Sequence, residues 1–365
     1  MKPVRSTQHL HPMLWLLAVS GILLCAVFSY GCTKPVFTQE VALSPLAADA
    51  VLVDNAVREQ TLLLIRSAEH SLYIEQMTLE DPLILSEIIV KAKSGLEIKI
   101  LLDRWQPENQ KTINQLKNNN ISVQFYPAEK GQFHRQKFLI SDNKAVLFMS
   151  APWTEAYASF SSLAFMMSGD TVEKTLDAFA RDWKYTTTLD LNRDTTTPRD
   201  QNIYQPEKVT LTSTVGIKNL ILTHIETAQN TLQIETQQLS GNDDVINALV
   251  AARQRGCQVR ILLDPSCQET TPHTLTIFSR AGVEYRFFNG KGKINSQNNI
   301  LGQDKKLSRN FAIIDSWRLV YTSSAWIYNT LVINHEGALA IPSPAIAQKC
   351  VEIFQADWEN ATPQN

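Results

Sequence analysis

Apolar and polar positions between residues 57 and 362 follow one pattern, written twice. In the first copy a helix end at Ile65-Arg-Ser-Ala68 feeds an alternating run, Ser71-Leu-Tyr-Ile-Glu75. In the second, Ile225-Glu-Thr-Ala228 feeds Thr231-Leu-Gln-Ile-Glu235. Helical runs follow, Ile84 to Lys93 and Val245 to Arg255, ended by Gly95 and Gly256 as glycine ends helices. Strand runs come next, Ile98–Asp103 and Val259–Asp264, then a helix and a further strand, Val123–Tyr126 and Val283–Phe288. Another strand reaches Asp142 and Asp315, with Trp153 and Trp326 eleven residues later in both copies. Each copy closes on a helix, Phe179-Ala-Arg-Asp-Trp183 and Phe354-Gln-Ala-Asp-Trp358.

Strands alternating with helices predict an α/β fold, with mixed, mostly parallel sheets flanked by helices. Two copies of one unit pack most simply about a pseudo-two-fold axis, so a site on that axis takes equivalent segments from both. The boundaries read as a signal or anchor at 1–31, a tether at 32–56, a first unit at 57–188, a polar linker at 189–208 and a second unit at 209–362. Trp153, Trp183, Trp326 and Trp358 are expected to anchor the core.

The first thirty residues carry an address. Lys2 and Arg5 precede an apolar run from Met13 to Phe28, and Ser29, Tyr30 and Gly31 lead from it to Cys32. That is the layout of a secretory signal. The Gly31-Cys32 junction resembles a bacterial lipoprotein signal, in which Cys32 would be lipidated. An uncleaved signal anchor and plain secretion are the alternatives, and each places the body outside the cytoplasm. A formal charge of −2 excludes a protein held to nucleic acid by bulk charge, although a local basic pocket stays open. Cys257, Cys267 and Cys350 match no metal-ligand spacing and read as buried small hydrophobes, with a Cys257–Cys267 disulfide left open. No cofactor and no metal is expected.

The strand-and-loop pieces carry a family resemblance. The first runs His134-Arg-Gln-Lys137 to Asp142 and then Met149-Ser150-Ala-Pro152-Trp153; the second runs Ser308-Arg-Asn310 to Asp315 and then Thr322-Ser323-Ser-Ala325-Trp326. These resemble two eroded copies of the phospholipase D superfamily signature, H-x-K-x4-D-x6-G-S-x-N. Asn334 and Glu336 fit the family's downstream segment. In that family one histidine attacks phosphorus, the histidine of the other copy protonates the leaving oxygen, and two lysines neutralise the phosphate.

Here the histidine positions hold Arg135 and Ser308, and Asn310 replaces the second lysine. His134 lies one residue early, so on a regular strand it would face away from Lys137 unless a bulge restored it. The resemblance therefore implies an axial phosphate pocket of Arg135, Lys137, Ser150, Ser308, Asn310 and Ser323. Lys291, Lys293, Lys305, Lys306 and Arg309 are supplied by a neighbouring loop that would serve as a solvated loop or a ligand-gripping lid. Asp142 and Asp315 are expected to cap turns or pair with basic neighbours. The leading expectation is a membrane-anchored, non-catalytic binder of phosphodiester or phospholipid headgroups, or of an envelope protein. The rivals are an active phosphodiesterase or phosphatidyl transferase using His134, Lys137 and Asp142 on phospholipid or nucleic acid, and an envelope scaffold.

Overall fold

The computed structural model describes residues 49–191, 202–206, 208–291, 293–294, 300–301 and 304–363. The signal segment with Cys32, and most of the 189–208 linker, lie outside them.

The first copy consists of β1 (Val51–Val53), α1 (Asn55–Ser67), β2 (Ser71–Gln76), α2 (Pro82–Lys93), β3 (Glu97–Asp103), α3 (Glu108–Lys117), β4 (Ser122–Tyr126), β5 (Phe138–Ser141), β6 (Ala145–Met149), β7 (Phe160–Ser161), β8 (Leu163–Met167) and α4 (Asp170–Thr187). The second consists of β9 (Thr210–Ser213), α5 (Gly216–Glu226), β10 (Thr231–Thr236), β11 (Leu239–Ser240), α6 (Asp243–Gln254), β12 (Gln258–Leu263), α7 (Cys267–Thr270), α8 (Pro272–Ala281), β13 (Glu284–Phe287), β14 (Lys293–Ile294), β15 (Ile300–Leu301), β16 (Lys306–Leu307), β17 (Phe311–Ile314), β18 (Arg318–Thr322), β19 (Trp326–Ile327), β20 (Gly337–Ile341), α9 (Pro344–Asn360) and β21 (Thr362–Pro363).

Both main sheets have one strand order, β1-β8-β6-β5-β2-β3-β4 and β9-β20-β18-β17-β10-β12-β13, with β21 added at the far edge of the second. β2, β3 and β4 run parallel, as do β10, β12 and β13, because a helix crosses over between each pair. The remaining pairings are antiparallel. The sheets are thus mixed, with antiparallel pairs in the majority rather than the mostly parallel sheets expected. The physical reason is the tight turn at Asp142 and Asp315: each joins two strands as a hairpin, and a hairpin reverses direction.

The turn aspartates are fixed identically. The Asp142 carboxylate accepts from the backbone N–H groups of Glu69, His70 and Ser71 at 2.7–3.1 Å. Asp315 accepts from those of Gln229, Asn230 and Thr231 at 2.7–3.2 Å. Both residues sit at positive φ (52° and 50°), a conformation that aspartate tolerates. They hold the α1–β2 and α5–β10 junctions and do not reach the axis.

The core has three parts. Outer helices cover the far face of each sheet, around Trp153 and Ile74 in one copy and Trp326 and Ile234 in the other. Between the sheets lies a shared layer built on α4 and α9, where Phe179, Trp183, Phe354 and Trp358 are buried. Phe165 meets Tyr321 edge to face across the two copies at 5.4 Å. This common apolar layer fixes the relative position of the copies, and with it any site on their axis. Cys257, Cys267 and Cys350 are buried free thiols, so the open disulfide question closes on unpaired cysteines.

Candidate functional site

Four strand ends meet at the axis. The segment leading into β5 pairs with the segment leading into β20: Arg135 N–H donates to the His335 carbonyl and His335 N–H to that of Phe133, both at 2.8 Å. On the other side β7 pairs with β16. These two ties bring Lys137, Ser150, Ser308, Asn310 and Ser323 to the seam, where they spend their polar atoms on the protein, whereas the Arg135 side chain turns to the Phe133 ring. Lys137 Nζ donates to the carbonyls of Ser323 (2.5 Å) and Arg135 (3.2 Å). Ser150 Oγ lies 3.4 Å from Ser308 Oγ, and Ser308 Oγ donates to the Ser161 carbonyl at 3.0 Å. Ser323 Oγ donates to Glu336 at 2.5 Å and accepts from Gly337 N–H. Asn310 accepts from Thr236 Oγ1 and Gln237 N–H and donates to the Ser308 carbonyl. Asn334 bridges the copies, accepting from Phe133 N–H and donating to Glu336.

The cavity beside Lys137, Tyr321 and Ser323 holds about 10 Å³, which admits at most one water. Burial pushes the Lys137 ammonium down to about 8, with Arg135 adding to the effect and Glu336 opposing it. Arg135 is half-buried with its guanidinium 5.0 Å from the Phe133 ring centre, and its Nε has no partner. A larger pocket of about 180 Å³ opens next to this seam, lined in part by Gln136, Lys174, Arg181, Thr212 and Ser213.

His134 does not point at this axis. β5 starts at Phe138, but His134 is held by an isolated parallel bridge to His335, and its ring faces away from Lys137 as the register predicts. The His134 ring is fully buried 3.5 Å from Glu75 on β2. Beside it stands His335, whose Nε2 lies 2.8 Å from Asp182 on α4 and whose Nδ1 lies 3.3 Å from Thr214 Oγ1. Tyr126 stacks on both rings, at 4.8 Å from His134 and 4.3 Å from His335. Burial, reinforced by His335 and Lys137, pushes the His134 imidazole well below the ordinary range, so it is neutral. Burial and the facing Asp182 push the Glu75 carboxyl well above its ordinary range. Glu75, His134 and His335 are the described residues whose His, Cys, Asp and Glu donors converge closely enough for one ion.

The second copy carries a different solution at the equivalent place. Glu235 and Asp357 occupy the positions of Glu75 and Asp182, and the buried Arg309 guanidinium pairs with both, at 2.6 Å from Glu235. Arg309 is therefore committed inside the protein rather than offered to a ligand. Lys305 pairs with Asp54, whereas Lys291 and Lys306 are exposed. The Lys293 side chain lies outside the described residues. Glu75, Asp182 and Tyr126 escape a reading of the sequence because they are scattered from residue 75 to residue 182, and His335 is legible only as part of the downstream segment with Asn334 and Glu336. The one available signal is the duplication, which aligns Glu75 with Glu235 and Asp182 with Asp357.

Comparison with known proteins agrees with this architecture. The family model described as cardiolipin synthase, phospholipase D-like domain, matches residues 62–183 and 221–358. The solved phosphatidylserine synthase of Haemophilus influenzae Rd KW20 superposes with a TM-score of 0.63 at 14% identity, covering 86% of this chain and 87% of that one. The polyphosphate kinase of Porphyromonas gingivalis gives 0.57 at 13% identity, covering 85% of this chain but 47% of its own. The phospholipase D family member Nuc of Salmonella typhimurium covers 43% of this chain and 98% of its own, at 18% identity and a TM-score of 0.37. No curated protein matches the chain.

Proposed function

The chain belongs to the cardiolipin synthase, phospholipase D-like family, and on that premise we propose that it is a non-catalytic member that binds a phosphodiester headgroup without cleaving it, held at a membrane of the bacterial envelope through its N-terminal segment. One observation carries this reading: Arg135 and Ser308 stand where the two-histidine chemistry needs its nucleophile and acid, and Lys137 is bonded to two backbone carbonyls. His134 cannot substitute, because its ring faces Glu75 and is enclosed. Asp142 cannot take part either, since its carboxylate is saturated by three backbone N–H groups.

As phosphate ligands the residues bonded into the seam would first have to release their partners. The 180 Å³ pocket beside them is larger than the cavity at Lys137, and Arg181 and Lys174 bring two cations to it, although Lys174 Nζ also donates to the Val209 carbonyl at 2.7 Å. Among the described residues no helix is long and apolar enough to cross a membrane, so the tether is assigned to residues 1–31 and Cys32.

The test uses the full chain in detergent micelles. Hydrolysis of a chromogenic phosphodiester and of phospholipid should stay at the level of His134→Ala, and a soluble dialkyl phosphodiester should bind by calorimetry and weaken in Arg181→Ala. Turnover that disappears in His134→Ala would overturn the non-catalytic reading. Absent binding together with capture of an envelope protein would leave the scaffold reading in its place. Cys32→Ala should release the chain from membranes if the cysteine carries the anchor.

A further inference from the structure

We propose that Glu75, His134 and His335, with Asp182 reaching the set through its contact with His335, form a site for one divalent transition-metal ion of the Zn²⁺ class, clamped between the two copies. Four observations converge on it.

The first is unsatisfied polarity. Both His134 ring nitrogens and both Glu75 carboxylate oxygens are fully buried without a conventional hydrogen bond; Glu75 has the Asp182 carboxyl facing it and His134 Nε2 at 3.5 Å. Buried polar groups are rarely left so, because each costs free energy without a partner.

The second is spacing. One donor atom each from Glu75, His134 and His335 lies within 4.8 Å of the others. The Glu75–His134 and Asp182–His335 contacts measure 3.5 and 2.8 Å. Tetrahedral donors at about 2.0 Å from an ion sit roughly 3.3 Å apart, between those two values.

The third is ring orientation. The His134 and His335 centres are 5.2 Å apart and their planes differ by 16°. Rings on opposite faces of Tyr126 would be about 7 Å apart or more, twice a stacking distance of about 3.5 Å. They therefore lie side by side, nearly coplanar, on one face of Tyr126. Two imidazoles sharing a tetrahedral ion in their common plane have ring centres about 5 Å apart.

The fourth is the other copy. There the Arg309 cation sits between Glu235 and Asp357. The residue at Arg309's position in the first copy is Gln136, which brings no charge. The Glu75–Asp182 pair has no guanidinium seated between its members as Arg309 is; Arg181 favours the Glu75 charge without forming an ion pair with it, and two imidazoles face the pair.

Two nitrogens and one carboxylate suit Zn²⁺ or Co²⁺ rather than Ca²⁺ or Mg²⁺, which prefer all-oxygen sets. Thr214 Oγ1 at His335 Nδ1 leaves Nε2 for the ion, the usual support for a metal-bound imidazole. The Asp182 and His335 side chains keep 15% and 8% exposure, which opens the way in. Because His335 comes from the second copy, the ion would staple the copies together.

The test titrates chelator-treated full-length protein with Co²⁺, in a His9→Gln/His11→Gln background that removes the N-terminal histidines. Expected are one equivalent bound, the visible bands of four-coordinate Co²⁺, their loss on adding Zn²⁺, and a higher melting temperature with Zn²⁺. His335→Gln and Glu75→Gln should abolish the bands or weaken binding at least about 100-fold, the upper end of what losing a supporting residue costs. Absence of the bands and of the melting shift in the parent protein would overturn the proposal, whatever the variants do. Equal bands in parent and both variants would overturn it too, by placing the ion elsewhere.

Discussion

The closed axis makes a quantitative prediction at Lys137. A buried ammonium whose pKa falls to about 8 against an unfolded value near 10.4 costs about 3 kcal/mol at neutral pH, from about 1.36 kcal/mol per unit. Between those values the unfolded chain binds more protons than the native one, so stability rises with pH across this window. Lys137→Met removes the group and its titration. The stability of the parent protein should therefore gain on the variant by about 2 kcal/mol between about pH 7 and pH 9.5, integrating the two titrations. Urea unfolding at a series of pH values, read as the difference between parent and variant, isolates Lys137 from the other groups that titrate there. Parallel curves would refute the reasoning, for they would mean an ordinary, solvated ammonium in an open pocket.

Three further outcomes follow from the same structure. Asp142→Ala and Asp315→Ala each strip a charged acceptor from three backbone N–H groups, and each should cost about 2–4 kcal/mol in chemical denaturation, with water recovering part of the loss. Arg309→Met leaves Glu235 and Asp357 without their cation and should cost about 3–5 kcal/mol; a loss below about 1 kcal/mol would show an exposed, weak pair instead. In a Cys25→Ser/Cys32→Ser background the three remaining thiols should ignore an aromatic disulfide reagent until the protein unfolds, since all are buried and burial lifts Cys267 to about 11; rapid labelling of the native protein would contradict their placement.

The fold was legible because the chain states it twice. Gly95 and Gly256 were read as helix stops, and both adopt positive φ, 90° and 96°. The four tryptophans were read as anchors and are buried. Strand direction was less legible: hydrophobic runs show burial on both faces but not whether the next strand returns by a hairpin or a crossover. At the site, the family resemblance implied an axial group of Arg135, Lys137, Ser150, Ser308, Asn310 and Ser323, of which all but the Arg135 side chain bond into the seam. Their mutual satisfaction was not implied, because it depends on backbone carbonyls such as that of Ser323, which no side-chain pattern announces. His134 was expected to face away from Lys137 and does, although the strand begins only at Phe138.

The asymmetry between the copies shows how a duplicated centre can keep one shape around two different sets of charged residues. Each copy buries a glutamate on its β2-type strand beside a partly exposed aspartate on its closing helix, and burial makes the glutamate costly to ionise alone. In the second copy Arg309 neutralises the pair, and the Glu235 carboxyl still rises to about 7 from burial. The first copy holds two histidines against the pair, with the His335 ring crossing from the other unit. The polar groups that would have served a phosphate now bond across the axis, at Lys137–Ser323 and Ser150–Ser308, and those cross-copy bonds lie directly beside the shared apolar layer of Phe165 and Tyr321. Polar and apolar contacts both tie the copies together along the axis, and we therefore place the proposed binding in the pocket of Gln136, Lys174 and Arg181 at its margin.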